Sequence, residues 1–234
     1  MNILAIGAHP DDIEFCCAGT LAKYKKQGHK IFLALTTSGN QGSGVIKTRE
    51  EVGATREAEA LESAKLLDAE VRFIRYDDEL LLDTLEARRR IINAMRWAQP
   101  DVILTHYPDD PSTDHTTTGH IVSKLMLSLM GKLIPADEPP VTKKVSLFYF
   151  DNAAGINFLP EAYVDITETL PTKLEMLSKH KSQIEWMGCF GNDKIKEYLT
   201  TIAKFRGLQA GCDYAEGFRA YRIYGYMPDF KLLP

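Results

Sequence analysis

Ile3-Leu4-Ala5-Ile6-Gly7, followed at once by Ala8-His9-Pro10-Asp11-Asp12, is a short apolar run that ends in a polar corner. A near-continuous apolar run of this length is the pattern of a parallel strand covered on both faces. Beyond the corner, Ile13, Cys16, Cys17, Thr20, Leu21 and Tyr24 recur at helical spacing until Gly28 stops them. The segment predicts a strand over 2–7 and a helix over 12–27. One histidine and two aspartates therefore emerge at the carboxyl end of a first strand, where open α/β sheets place their ligands.

Outward from this corner, apolar runs at 31–36, 71–75, 102–105 and 145–150 predict four more strands. Amphipathic stretches at 48–67, 85–97 and 116–130 predict the helices between them. Strand and helix alternate through five strands. That alternation argues a Rossmann-like α/β fold: a mostly parallel sheet with helices on both faces, in a single domain over residues 1–234. The polar segment 37–45 (TSGNQGSGV) reads as a flexible loop or lid at the carboxyl edge. The last third is less regular, with a short strand at 163–166, a proline-opened helix at 171–180, a helix at 193–205 and a final strand at 221–226. No internal repeat, low-complexity tract or linker divides the chain.

Net charge is −4, which gives no electrostatic case for nucleic acid. The longest apolar runs are too short to span a bilayer. The chain goes straight into a strand with no charged, cleavable leader, so a cytoplasmic protein is expected. Cys16, Cys17, Cys189 and Cys212 make no C-x-x-C pair and are expected as free thiols in a reducing compartment. The first turn has no G-x-G-x-x-G, and two carboxylates beside a helix N-terminus would repel a pyrophosphate. A nucleotide-binding dehydrogenase is thereby disfavoured.

His9 and Asp12 are three residues apart, on one side of a helical turn. Imidazole and carboxylate are natural ligands of first-row metals. On its own, the pair also reads as an acidic first helical turn favoured by the helix dipole. Asp114-His115 shifts the balance, because it follows the fourth strand in a second polar loop that opens a helix. In a doubly wound sheet the first and fourth strands flank the switch point, so the two loops face each other across one crevice. Three ligands, His9, Asp12 and His115, leave one zinc position open, as in catalytic rather than structural sites. Asp114 is suited to orient an imidazole, or else to cap its helix.

Ala8-His9-Pro10-Asp11-Asp12 joined to Asp114-His115 resembles the LmbE-like or PIG-L family of zinc-dependent deacetylases acting on N-acetylglucosamine-type amides. Arg56-Glu57-Ala58-Glu59, Lys179-His180-Lys181-Ser182-Gln183 and Tyr214-Ala215-Glu216-Gly217-Phe218 are similar to three further segments of that family, in the same order. The resemblance implies that His9, Asp12 and His115 hold Zn2+, although the triad suits other divalent ions. It implies Asp11 as the general base, with Asp114 beside it in the catalytic set. Arg56 would contact the sugar or brace the first-strand loop; a solvated pairing with Glu59 is the plainer reading, and Arg49 competes for the role. The family usually reads His-Pro-Asp-His where this chain has Ser112-Thr113-Asp114-His115, so an auxiliary histidine is missing. His106, His120, Tyr107 and His180 are the candidates to compensate, and His106, Tyr107 and His180 to contact substrate.

The expected activity is removal of an acetyl group from the amide nitrogen of an N-acetylglucosamine-type sugar. The alternative is a non-catalytic, metal-dependent sugar-binding protein of the same fold. The expected partner is a small amino-sugar substrate, with no nucleic acid or membrane and with assembly into a homo-oligomer left open.

Overall fold

The structure is a computed structural model and describes residues 1–188, 194–223 and 227–234. Five parallel strands carry the chain's first two thirds: β1 (Asn2–Gly7), β2 (Lys30–Thr37), β3 (Glu70–Tyr76), β4 (Val102–His106) and β5 (Ser146–Phe150). Two more, β6 (Ala162–Asp165) and β7 (Ala215–Ala220), extend the sheet antiparallel, β7 on β5 and β6 on β7. The order is β3-β2-β1-β4-β5-β7-β6. Successive residues of a strand face opposite sides of a sheet. Thus Ile3 and Ala5 enter a core with Leu21, Leu104 and Phe148, while Leu4 and Ile6 enter another with Ile91, Met95 and Ile121. Both faces are covered, as a parallel sheet requires.

The helices are α1 (Asp12–Cys16), α2 (Ala18–Lys26), α3 (Arg49–Lys65), α4 (Leu85–Trp97), α5 (Thr113–Leu125), α6 (Leu170–Leu177), α7 (Lys181–Gly188) and α8 (Ile195–Ala210). The helix predicted over 12–27 is broken at Cys17, and the break has a physical cause. In an unbroken helix the Gly19 N–H would bond the Phe15 carbonyl. Here Gly19 and Thr20 donate instead to the Glu216 carboxylate, at 3.0 and 2.7 Å. The Phe15 carbonyl receives Lys173 Nζ at 2.9 Å, and Lys173 also pairs with Glu216. A buried carboxylate from β7 thus starts α2 at its positive end.

Other differences lie mostly at the C-terminal end. Among the described residues the final strand is β7, not 221–226. Beyond it Tyr221 continues the pairing through its N–H to Leu147 O at 3.0 Å, and Ile223 forms an isolated bridge. Residues 224–226 of that expectation lie outside the described residues. So does 193, the expected start of the helix that is observed as α8; Gly211, in the left-handed region at φ 76°, ends it. Helix α7 was not anticipated. Helix α5 begins at Thr113, three residues earlier than expected, and so carries His115 in its first turn. Segment 37–45 is not a free lid over its first half. Ser38 N–H bonds Tyr76 O at 2.8 Å, Asn40 bonds Asp77 at 2.7 Å, and Gln183 bonds Gly42 O at 2.9 Å. Cys16 and Cys17 are buried free thiols and Cys212 is half-buried, while Cys189 lies outside the described residues. No helix among the described residues is long and apolar enough to cross a membrane.

Candidate active site

Strands β1 and β4 are neighbours in the sheet, and their carboxyl ends bring the two polar loops together. Asp11 stands at the N-cap position of α1 with φ 143°, a positive value that an aspartate adopts only at a cost, and its side chain does not cap the helix. The turn lets two adjacent carboxylates take different directions. Asp12 points to the histidines: its Oδ1 is 3.2 Å from His115 Nε2, and its Oδ2 is 3.4 Å from His9 Nδ1. Asp11 points to Arg56, whose Nη2 donates to Asp11 Oδ1 at 3.0 Å and to Pro10 O at 2.9 Å. Arg56 Nη1 reaches across to Gly39 O at 2.8 Å.

His9 Nδ1 and His115 Nε2 face each other at 3.2 Å, with the Asp12 carboxylate beside both. Ligand atoms of His9, Asp12 and His115 all lie within 4.8 Å of one another. The far nitrogen of each imidazole meets a carboxylate. His9 Nε2 is 3.0 Å from Asp78 and 3.3 Å from Asp114, and His115 Nδ1 is 3.0 Å from Asp110. Carboxylates behind histidine ligands fix ring orientation in metal sites, so this donor set fits a divalent ion. Two other triplets, His106/Asp110/His115 and His9/Asp78/Asp114, have comparable spacing. They fit less well. His106 Nε2 accepts the Ala8 N–H at 3.0 Å, and Asp114 accepts the N–H groups of Glu79 and Leu81 at 2.8 and 3.3 Å.

The family model described as GlcNAc-PI de-N-acetylase, PIG-L, matches residues 4–126 of the 234. The chain belongs to this family. A diacetylchitobiose deacetylase of Thermococcus kodakarensis is 27% identical over 233 residues, covering 93% of this chain and 82% of that one. The structure of an N,N'-diacetylchitobiose deacetylase from Pyrococcus horikoshii superposes with a TM-score of 0.82 at 26% identity, covering 99% of this chain and 88% of that one. A 4-oxalmesaconate hydratase of Pseudomonas putida is 24% identical over 217 residues, covering 89% of this chain and 81% of that one.

In this PIG-L member the electrostatics separate the site residues. Burial opposes charge on His9 and His115, but neighbouring carboxylates outweigh it. Asp12, Asp114 and Asp78 raise His9 well above the usual histidine range, and Asp12 with Asp110 pushes His115 up to about 10. Burial and the nearby His115 push His106 down to about 4. Burial raises the Asp11 carboxyl although Arg56 opposes the shift.

Three of the expected substrate contacts stand elsewhere. His106 is 1% exposed and lies behind Asp12, stacked on His115 with ring centroids 4.0 Å apart. Tyr107 packs against Tyr149 and Phe158 under the Arg219 guanidinium, away from the cleft. His180 is fully buried, its Nε2 3.1 Å from Glu14. Arg56 lines the cleft but is spent on bracing the first-strand loop. Arg49 is an exposed partner of Asp77 at 3.6 Å. Glu59 does not pair with Arg56; it accepts from the Ser182 N–H and Oγ, at 2.8 and 2.6 Å. Ser112, in the place of the family histidine, occupies the N-cap position of α5 with its Oγ buried and unbonded, outside the cleft lining.

The cleft above the donor set encloses about 510 Å³. Asp78 and Asp110 were not singled out in the sequence, and Gln183 was quoted only within the Lys179–Gln183 segment, with no role given to it. Asp78 had a signal, since it follows β3 at the same carboxyl edge as the other ligand loops.

Proposed function

We propose that this chain is a metal-dependent N-deacetylase that hydrolyses the acetamide of an N-acetylglucosamine-type sugar or conjugate, giving a free amine and acetate. Zinc is the proposed ion, held by His9, Asp12 and His115. The observation that carries the reading is the convergence of these three ligands on a cleft floor that also holds the Arg56-braced Asp11. When bound, such an ion supplies Lewis-acid chemistry, acidifying water and polarising the amide carbonyl.

The chain's own groups do the rest. Asp11 Oδ1 is fixed by Arg56, which leaves its other oxygen to accept the proton of the attacking water. The same carboxyl then delivers that proton to the amide nitrogen as the C–N bond breaks. A carboxyl raised by burial suits a group that acts first as base and then as acid. Asp114 and Asp78 hold His9 in register, and Asp110 does so for His115. The buried free thiols Cys16 and Cys17 support a reducing, cytoplasmic setting.

Acetate release from a panel of N-acetyl sugars, with and without a chelator, tests the reading. Chelator-sensitive acetate supports it. Sugar binding with no acetate favours the non-catalytic alternative, and water addition to an unsaturated acid with no acetate favours chemistry like that named for the Pseudomonas putida relative.

A further inference from the structure

Helices α1 and α7 are five and eight residues long. Helices this short are not stable alone in water, so contacts from the rest of the fold decide where they lie. The turn that opens α7 supplies three such contacts. His180 is fully buried and does not line the cleft; its Nε2 stands 3.1 Å from Glu14 Oε1, on α1. Ser182 gives its N–H and Oγ to Glu59, on α3. Gln183 is buried and gives Nε2 to Gly42 O, in the loop after β2. Helix α3 closes the circuit through Arg56, Glu59 and Ser63, which share one of its faces. Arg56 holds Asp11 and Gly39 O, and Ser63 Oγ donates to Glu14 Oε1 at 2.5 Å.

We propose that this turn is a positioning clasp: through Glu14, His180 fixes the corner that carries Asp11 and Asp12, and through Gly42, Gln183 fixes the loop that lines the cleft beside it. The effect on catalysis rests on the deacetylase reading; the effect on the two segments does not. Glu14 stands three residues beyond Asp11, about one helical turn, so its carboxylate is a handle on the short helix. That carboxylate is buried and needs partners, which the Ser63 hydroxyl and the His180 imidazole provide. Without the imidazole, Glu14 is driven toward water and draws α1 with it. A displacement of about 1 Å at a reacting group costs about a hundredfold in rate, even when the change lies far from the chemistry. His180 thus acts through Glu14, without touching substrate.

The test compares full-length wild type, His180→Phe, His180→Gln and Gln183→Leu, all loaded with zinc. The first readout is amide hydrogen exchange, which needs no turnover. His180→Phe is expected to speed exchange about tenfold over residues 12–17 and to leave 38–42 unchanged, and Gln183→Leu to do the reverse. His180→Gln keeps an N–H near the place of Nε2 and is expected to restore slow exchange. Ser63→Ala removes the other Glu14 donor and is expected to act on 12–17 as well, which keeps the test open if His180→Phe does not fold. The second readout is acetate release from N-acetylglucosamine and N,N'-diacetylchitobiose. His180→Phe is expected to lower kcat about tenfold to a hundredfold with KM within about twofold, and His180→Gln to recover most of it. Exchange over 12–17 that stays slow in folded His180→Phe or Ser63→Ala, or that rises equally in every segment, overturns the clasp and leaves the deacetylase standing. So does full kcat in His180→Phe. Segment-specific exchange with no acetate from the wild-type chain overturns the deacetylase and leaves the clasp.

Discussion

Asp11 and Asp12 are adjacent, both buried, and chemically the same, so their surroundings alone make them different. Burial would raise both carboxyls. For Asp12 the imidazoles of His115, His9 and His106 outweigh burial and hold it well below the usual carboxylate range, as suits a ligand. For Asp11 burial prevails over Arg56. Asp11→Asn is therefore expected to keep bound metal while kcat falls by roughly a hundredfold to ten-thousandfold, checked by metal analysis beside acetate release. Full activity in that variant would dismiss Asp11 as the base. Arg56→Met removes the partner of a buried carboxylate, and is expected to lower stability by about 3–5 kcal/mol in urea unfolding. At this scale the sequence was legible where chemistry and spacing coincide: His9, Asp11 and Asp12 follow the end of β1, His115 opens the helix that follows β4, and strand ends can be read from apolar runs. His106 and His180 could not be placed the same way. A histidine's letter does not say whether its ring faces a cleft or lies under one, and both are buried.

The elements hold these residues through close backbone approaches. Helix α5 crosses β4 at Gly119, where an added Cβ would collide with the His106 carbonyl oxygen and sit 3.2 Å from its carbon. Backbone cannot yield as a flexible side chain can, so Gly119→Ala must push α5 off the sheet and carry His115 away from His9. The expected outcome is weaker metal binding, by calorimetric titration, with a stability loss of about 1–3 kcal/mol. At the opposite edge, Asp101 accepts the Asn2 N–H at 2.7 Å and pairs with Lys143 at 2.7 Å. Burial opposes its ionisation, but these partners hold its carboxyl below the ordinary value. A depressed folded-state value gives stability that is present above the unfolded value and lost as pH falls through the folded one. Asp101→Asn is thus expected to lower the urea midpoint at pH 7 and to flatten its decline below about pH 4, near the unfolded carboxyl value. The parallel strands were legible because their apolar runs are continuous. The break at Cys17 was not, since it depends on Glu216 and Lys173, some two hundred and one hundred and fifty residues away along the chain. Strand β7 was misplaced for the same reason: its Ala-Glu-Gly-Phe-Arg-Ala sequence has no β-branched residue, and its glutamate serves a helix rather than a strand face.

For the whole molecule, the sheet order makes neighbours of strands distant in sequence. β1 pairs with β4, so His9, Asp12 and His115, the proposed ligands, meet at one edge, and the C-terminal third returns to close the cleft with α7 and α8. The alternation of strands and helices made the first half of this legible. The second half was hidden because long-range antiparallel additions leave no local period in the sequence. The arrangement has a thermodynamic consequence. On the proposed assignment, an ion held by the β1–α1 corner and α5 together binds the folded chain and finds no such site in the unfolded one, so binding and folding are linked. At free metal one hundred times its dissociation constant, the added stability is about 2.7 kcal/mol. Zinc is therefore expected to raise the unfolding midpoint of the wild-type chain and a chelator to lower it, with His9→Ala insensitive to both. Asp11→Asn must respond as the wild type does, because it keeps all three ligands. If its midpoint stopped responding to zinc, Asp11 would belong among the ligands, and the assignment of the two adjacent aspartates to separate tasks would have to be abandoned.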